Sequence, residues 1–198
     1  SSPWAMSPTT APQTVARGTP VTTLVGSSGS GQKISTPLTA ARTPMLKQQV
    51  DSASQVILEP RSPEVGPSPT AVDIVIENVV GLYGVEVHLV FEPAVVQVQD
   101  ADPNMPEVQI APGPPFNQGN SFVALNRVDN KAGTIDFAVS LLNPALPLQG
   151  RVVVATFHLL AAKAGDTEVK FAQVLLASRD GKALKAASRG VTLNARPR

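Results

Sequence analysis

Between residues 72 and 91, apolar side chains recur at every second position. Val72, Ile74 and Ile76 alternate with Asp73, Val75 and Glu77. After the break NVVGLYG, Val85, Val87, Leu89 and Phe91 alternate with Glu86, His88 and Val90. A repeat of two is that of a β-strand, whose successive side chains meet opposite sides of a sheet. The first set reads as a half-buried strand, the second as a strand with one side in a core. No stretch above ten residues carries the 3.6-residue repeat of a helix, and 161–164 and 183–188 have room for one helical turn each at most.

The rest of the second half continues in the same way. Residues 55–59 form a short strand closed by Pro60, and 94–99 form another after the corner Phe91-Glu92-Pro93. Residues 121–128 and 134–142 flank Asn130-Lys131-Ala132-Gly133 as the arms of a hairpin. In its second arm Ile135, Phe137, Val139 and Leu141 face inward. Residues 152–161 are almost continuously apolar, as a central strand is, and 167–176 and 190–194 complete the set. Nine short strands punctuated by Gly, Pro and Asn predict an all-β fold, a nine-stranded jelly-roll sandwich.

Large apolar side chains are unevenly placed. Ten of the 19 prolines precede residue 70, whereas all six Phe and Tyr83 follow residue 80 and only Trp4 lies early. A segment without bulky apolar residues cannot bury enough surface to form a core. Two parts are therefore expected: an extended Pro/Ser/Thr-rich arm over residues 1–53 and the sandwich over 54–198. Within the arm, GTPVTTLVG at 18–26 and KIST at 33–36 have strand-forming content.

Cysteine is absent, which excludes disulfides, Cys-ligated metals and thiol catalysis. No apolar run of about 18 residues is present, so no membrane-spanning helix is expected. The opening SSPWAMSPTT holds neither an initiator Met nor an apolar signal core, as the processed end of an exported protein would look.

The net charge of +1 hides a segregation. Residues 1–50 carry Arg17, Lys33, Arg42 and Lys47 and no acid, whereas 73–136 carry nine acids against Arg127 and Lys131. From 179 on the chain is basic again, with Asp180 its single acid. Blocks of opposite sign attract between molecules. The basic residues are scattered and lack an aromatic stacking set, so no nucleic-acid partner is expected.

Catalytic chemistry is poorly supplied. The two histidines, His88 and His158, sit in apolar strands without metal spacing, and no catalytic residue is assigned. Asp100-x-Asp102-x-Asn104 begins like a calcium loop, but Met105 stands where such a loop needs Gly and no Glu closes it. Asp129, Asn130 and Asp136 are a second weak candidate, and the hairpin turn accounts for the first two without an ion. No cofactor is expected, and calcium is only weakly indicated. GSSGSG lacks the Lys and the preceding apolar strand of a phosphate loop. A glycan site would need an aromatic platform, and only Trp4 and Tyr83 stand as candidates.

The order of segments resembles the bacterial cohesin family. VDIVIENVVGLYGVEVHLVFEPAVVQVQD is similar to its second to fourth strands, including the Phe91-Glu92-Pro93 corner. GTIDFAVSLL is similar to the sixth strand, and GRVVVATFHLLAAKAGDTEVKF to the seventh and eighth, joined at Ala164-Gly165. VLLASRDGKAL, with its Asp180-Gly181 turn, is similar to the loop that follows. The resemblance spans about residues 54–195 and leaves 1–50 unmatched. It implies an extracellular or cell-surface sandwich without enzymatic activity. It also implies dockerin binding through a sheet of the third, fifth, sixth and eighth strands. By position, the outward residues there are Glu86, His88, Val90, Arg127, Asp136, Ala138 and Ser140, provided strand five is not shifted by one.

The unmatched arm favours a different use of this fold. Fifty extended residues reach on the order of 150 Å, several times the width of a domain whose radius of gyration is roughly 14 Å. The leading expectation is a self-assembling surface filament or surface-layer subunit, with copies of itself as partner. Val21, Thr23, Leu24, Val25 and Ile34 of one arm would then add a strand to a neighbour's sheet. The alternative is a cohesin whose partner is a dockerin-bearing protein, with a plain linker before it. A carbohydrate-binding module is a lesser alternative.

Overall fold

A computed structural model describes residues 53–198. Thirteen strands run through them: β1 (Ser54–Pro60), β2 (Glu64–Val65), β3 (Thr70–Leu82), β4 (Gly84–Val90), β5 (Val96–Gln99), β6 (Ala111–Pro112), β7 (Ser121–Asp129), β8 (Thr134–Leu141), β9 (Leu148–Ala161), β10 (Gly165–Ala177), β11 (Ala183–Leu184), β12 (Ala186–Arg189) and β13 (Val191–Ala195). The nine expected strands are all present, as β1, β3, β4, β5, β7, β8, β9, β10 and β13. Four short strands join them.

Two sheets form a sandwich. One has the order β12-β1-β3-β9-β5, with β6 also beside β9; the other has the order β2-β13-β10-β4-β8-β7, with β11 beside β10. The chain leaves the second sheet for the first at the Phe91-Glu92-Pro93 corner. There the Glu92 carbonyl accepts from the amides of Val95 and Val96, each at 3.1 Å, and β5 begins one residue after Val95. Alternate side chains of both sheets meet between them. Val72, Ile74, Ile76 and Phe157 of one sheet share a single buried cluster with Val87, Leu89, Ile135 and Phe137 of the other. Stacked sheets of this kind bury roughly a 10 Å layer of side chains, the main favourable contribution to the fold.

The β7–β8 hairpin is held by its own turn. The Gly133 amide donates to the Asp129 carbonyl at 2.8 Å, and the Asp129 side chain accepts from the amides of Lys131 and Ala132. Those backbone donors, Ala132 first, hold the Asp129 carboxyl below the usual carboxylate range. Gly133 has φ +73°, and a Cβ there would run into the Phe91 carbonyl oxygen and lie 2.8 Å from Pro93 Cδ. Asn130 pairs with the backbone of Val98 in both directions, at 2.8 and 2.9 Å, and so ties the turn to β5 of the other sheet.

Two segments with room for a helical turn take none, and one expectation is corrected. Residues 183–188 give no helical turn: β11 pairs with β10 in one sheet and β12 runs parallel to β1 in the other, so this Ala-rich segment crosses between sheet edges. Tertiary pairing outweighs the helix preference of Ala and Lys there. Residues 161–164 give none either, since β9 runs to Ala161 and a bend follows. Finally, β3 is buried on both sides, with Asp73 5% and Val75 0% exposed. It is a middle strand, with Ile57 of β1 and Val153 of β9 beside Val75. Asp73 is bonded by Arg61 at 2.7 Å and by the Thr156 hydroxyl at 2.6 Å.

Candidate partner-binding face

The outer side of the β10-β4-β8-β7 sheet gathers the seven expected sheet residues. Across β4 and β8, His88 stands opposite Asp136, Glu86 opposite Ala138 and Gly84 opposite Ser140. Across β8 and β7, Arg127 stands opposite Asp136. Cross-strand partners point to the same side, so Glu86, His88, Arg127, Asp136, Ala138 and Ser140 share one side. Val90 lies on it too, two residues beyond His88. The arm residues Val21, Thr23, Leu24, Val25 and Ile34 lie outside the described residues.

The two ends of this face differ in chemistry. At one end His88 lies between two carboxylates, its Nδ1 2.7 Å from Asp136 Oδ1 and its Nε2 2.8 Å from Glu86 Oε1. Arg127 Nη2 is 3.5 Å from the other Asp136 oxygen. The bonds to Glu86 and then Asp136 push the His88 imidazole above its ordinary value of 6.5, against the opposing effect of burial. At the other end small residues leave an open groove of about 470 Å³. Its floor is Gly84, Ala124, Ala138, Ser140 and Ala177, and Leu175 stands beside it, 49% exposed. Apolar side chains left in water around a depression are what a partner's side chains can cover.

No family model and no curated protein matches the chain by sequence. Solved structures match by shape. A type II cohesin domain from the cellulosome of Acetivibrio cellulolyticus superposes with a TM-score of 0.62 at 14% identity, over 71% of this chain and 95% of the cohesin. The fold is that of a cohesin. A non-cellulosomal cohesin from the archaeon Archaeoglobus fulgidus matches with a TM-score of 0.57 at 16% identity, over 73% of this chain and 92% of its own. A type I cohesin–dockerin complex from Clostridium thermocellum gives 0.57 at 13% identity, over 74% of this chain and 95% of the matched one.

On this cohesin fold, β4, β7, β8 and β10 do share one sheet. Residues the alternation did not single out also reach the face. Gln173 and Leu175 of β10 stand opposite His88 and Glu86, while their neighbours Val174 and Leu176 stand opposite the inward Val87 and Val85. An irregularity between Phe171 and Gln173 resets the alternation of β10, which hid them. In β7 a second irregularity, between Val123 and Leu125, turns Val123 inward against Val139 and brings Phe122 outward opposite Ser140. Phe122 is 60% exposed. The feared one-residue shift of this strand is thus real for its first half and absent at Arg127.

The weak ion candidates come apart in the structure. Asp129 and Asn130 are taken by the turn and by Val98, whereas Asp136 is taken by His88. Asp100 Oδ1 accepts from the amides of Asp102 and Gln109, and Asp102 Oδ1 from Asn104. His158 lies on β9 in the other sheet, opposite Ala71 and Gln99. Tyr83 has the Arg179 guanidinium 5.8 Å above its ring, on the surface a sugar would stack against.

Proposed function

We propose that residues 54–198 are a receptor module for a dockerin-type protein partner, engaged through the outer side of the β10-β4-β8-β7 sheet. The observation that carries this reading is one face with two complementary features: an apolar groove with an Ala and Gly floor beside Leu175, and a charged end at Glu86, His88, Asp136 and Arg127. A groove without large side chains accepts a partner's apolar residues, and flanking charges fix its orientation. The Clostridium thermocellum structure holds a cohesin of this fold in complex with a dockerin. An extracellular or cell-surface location goes with the reading, with residues 1–53 as the segment joining the module to its surroundings. The strand-donor reading rests on the arm, and no feature of the described residues favours it over the receptor reading.

The test is capture of dockerin-bearing proteins of the same organism by the immobilised full chain, with calcium present and again with EDTA. Capture that Ala138→Arg abolishes, in a variant with an unchanged circular dichroism spectrum, is the expected result. Capture indifferent to Ala138→Arg, or none across all those dockerins, would overturn the assignment.

A further inference from the structure

Both ring nitrogens of His88 face carboxylate oxygens at hydrogen-bond distance. An ionised carboxylate only accepts, and a neutral imidazole carries a single N–H. The two bonds therefore coexist only while the ring is an imidazolium, and in that form both are charge-assisted. We propose that His88 controls the charge this face offers a partner: the protonated ring bridges Glu86 to Asp136 and closes the polar end, and loss of its proton opens the bridge at Glu86 and frees that carboxylate for a Lys or Arg on the partner. This rests on the reading of the outer side as the binding face.

The bridge opens at Glu86 because the two carboxylates are held differently. The Asp136 side chain is 18% exposed and has Arg127 beside its second oxygen, so a neutral ring keeps its one N–H on Asp136. Glu86 is 42% exposed, and among the described residues its side chain is bonded to His88 alone. Deprotonation leaves the Nε2 lone pair facing a carboxylate oxygen, a repulsion that Glu86 relieves by turning into solvent. The charged groups around the ring are Glu86 on its own strand, Asp136 from β8 and Arg127 from β7. On β10 the uncharged Gln173 stands opposite His88, and the nearest charges there, Lys170 and Glu168, pair with each other at 2.8 Å. With the ring protonated these four groups balance. Without its proton they leave one net negative charge, next to an apolar groove that holds a partner in place.

The experiment follows the ring and the carboxylates by NMR in the labelled full chain, from acid to alkaline pH, with no partner present. A His88 midpoint above 6.5 is expected, with the Glu86 carboxyl carbon shifting at the same midpoint while that of Asp136 moves little. Glu86→Gln should lower the His88 midpoint in a protein with an unchanged amide spectrum. A tetralysine peptide then serves as the cationic probe. Its affinity at Glu86 should rise up to about fivefold above the midpoint, as one exposed ion pair allows, and Glu86→Gln should erase the rise. A His88 midpoint at or below 6.5, a Glu86 carboxyl that stays still while His88 titrates, or probe binding at Glu86 that is equal on both sides of the midpoint would each overturn the proposal. Because the titration needs no dockerin, it can fail while the capture experiment succeeds, and the reverse.

Discussion

The two sides of the β10-β4-β8-β7 sheet are built on the same backbone from alternate residues, yet they follow opposite rules. Inside, Val85, Val87, Leu89, Ile135, Phe137 and Val139 are at most 3% exposed, and their volume fills the space between the sheets. Outside, the neighbouring positions hold Gly84, Ala138 and Ser140, whose lack of volume makes the groove, and the Glu86–His88–Asp136 bridge. One side needs bulk, the other needs room and a few placed charges. Since one step along a strand crosses from one rule to the other, neighbouring substitutions should separate folding from binding.

The sharpest contrast is between residues 137 and 138. Phe137→Ala removes a fully buried ring and should cost about 3–5 kcal/mol, read as a lowered urea midpoint. Ala138→Arg, one residue on, should leave unfolding within about 0.5 kcal/mol, as surface changes do, yet abolish capture of the partner. A loss of stability at 138 as large as that at 137 would show that the outer side also supports the fold. Gly133→Ala belongs with the inner side although it lies at a turn. Its positive φ and the obstruction at Phe91 and Pro93 should together cost about 2–3 kcal/mol. Smaller still is Leu175→Ala. It should weaken partner binding by about 5- to 30-fold, or roughly 1–2 kcal/mol, with the urea midpoint unmoved. If binding is unchanged, the groove is not where the partner sits.

The same contrast explains what the sequence made legible. Wherever alternation ran unbroken, as in β4 and β8, both strand and side could be read, because every buried position of those two strands is apolar. Irregular pairing broke the reading. The shifts near Ala124 in β7 and Ala172 in β10 each move one residue out of phase, so Phe122, Gln173 and Leu175 reach the face without a pattern to announce them. Residues 183–188 carried no strand pattern for another reason: Ala and Lys favour helix locally, and only the edges of two distant strands turn them into β11 and β12. The His88 bridge was half legible. Its three residues fall on one side by counting, but their contact depends on the register between β4 and β8, which no single strand encodes.

The smallest expected effect concerns pH, and it bears on the outer side, because the inner positions named above carry no ionisable group. The folded His88 value is raised above 6.5 by Glu86 and Asp136, so the folded protein binds the ring's proton more tightly than the unfolded chain does. The stability this confers is fully present below 6.5 and is lost as pH rises through the folded value. Urea midpoints of the parent and of His88→Gln, measured in steps from about pH 5.5 to 8.5, should differ most at the acid end and converge toward the alkaline end. Phe137→Ala, by contrast, should lower the midpoint by nearly the same amount at every pH, since the cavity it leaves does not titrate. A His88→Gln difference that widens with rising pH would mean that the neutral ring is the better-held form. In that case the two carboxylates do not share the ring's protons, and the division of labour between the two sides would need another basis than charge.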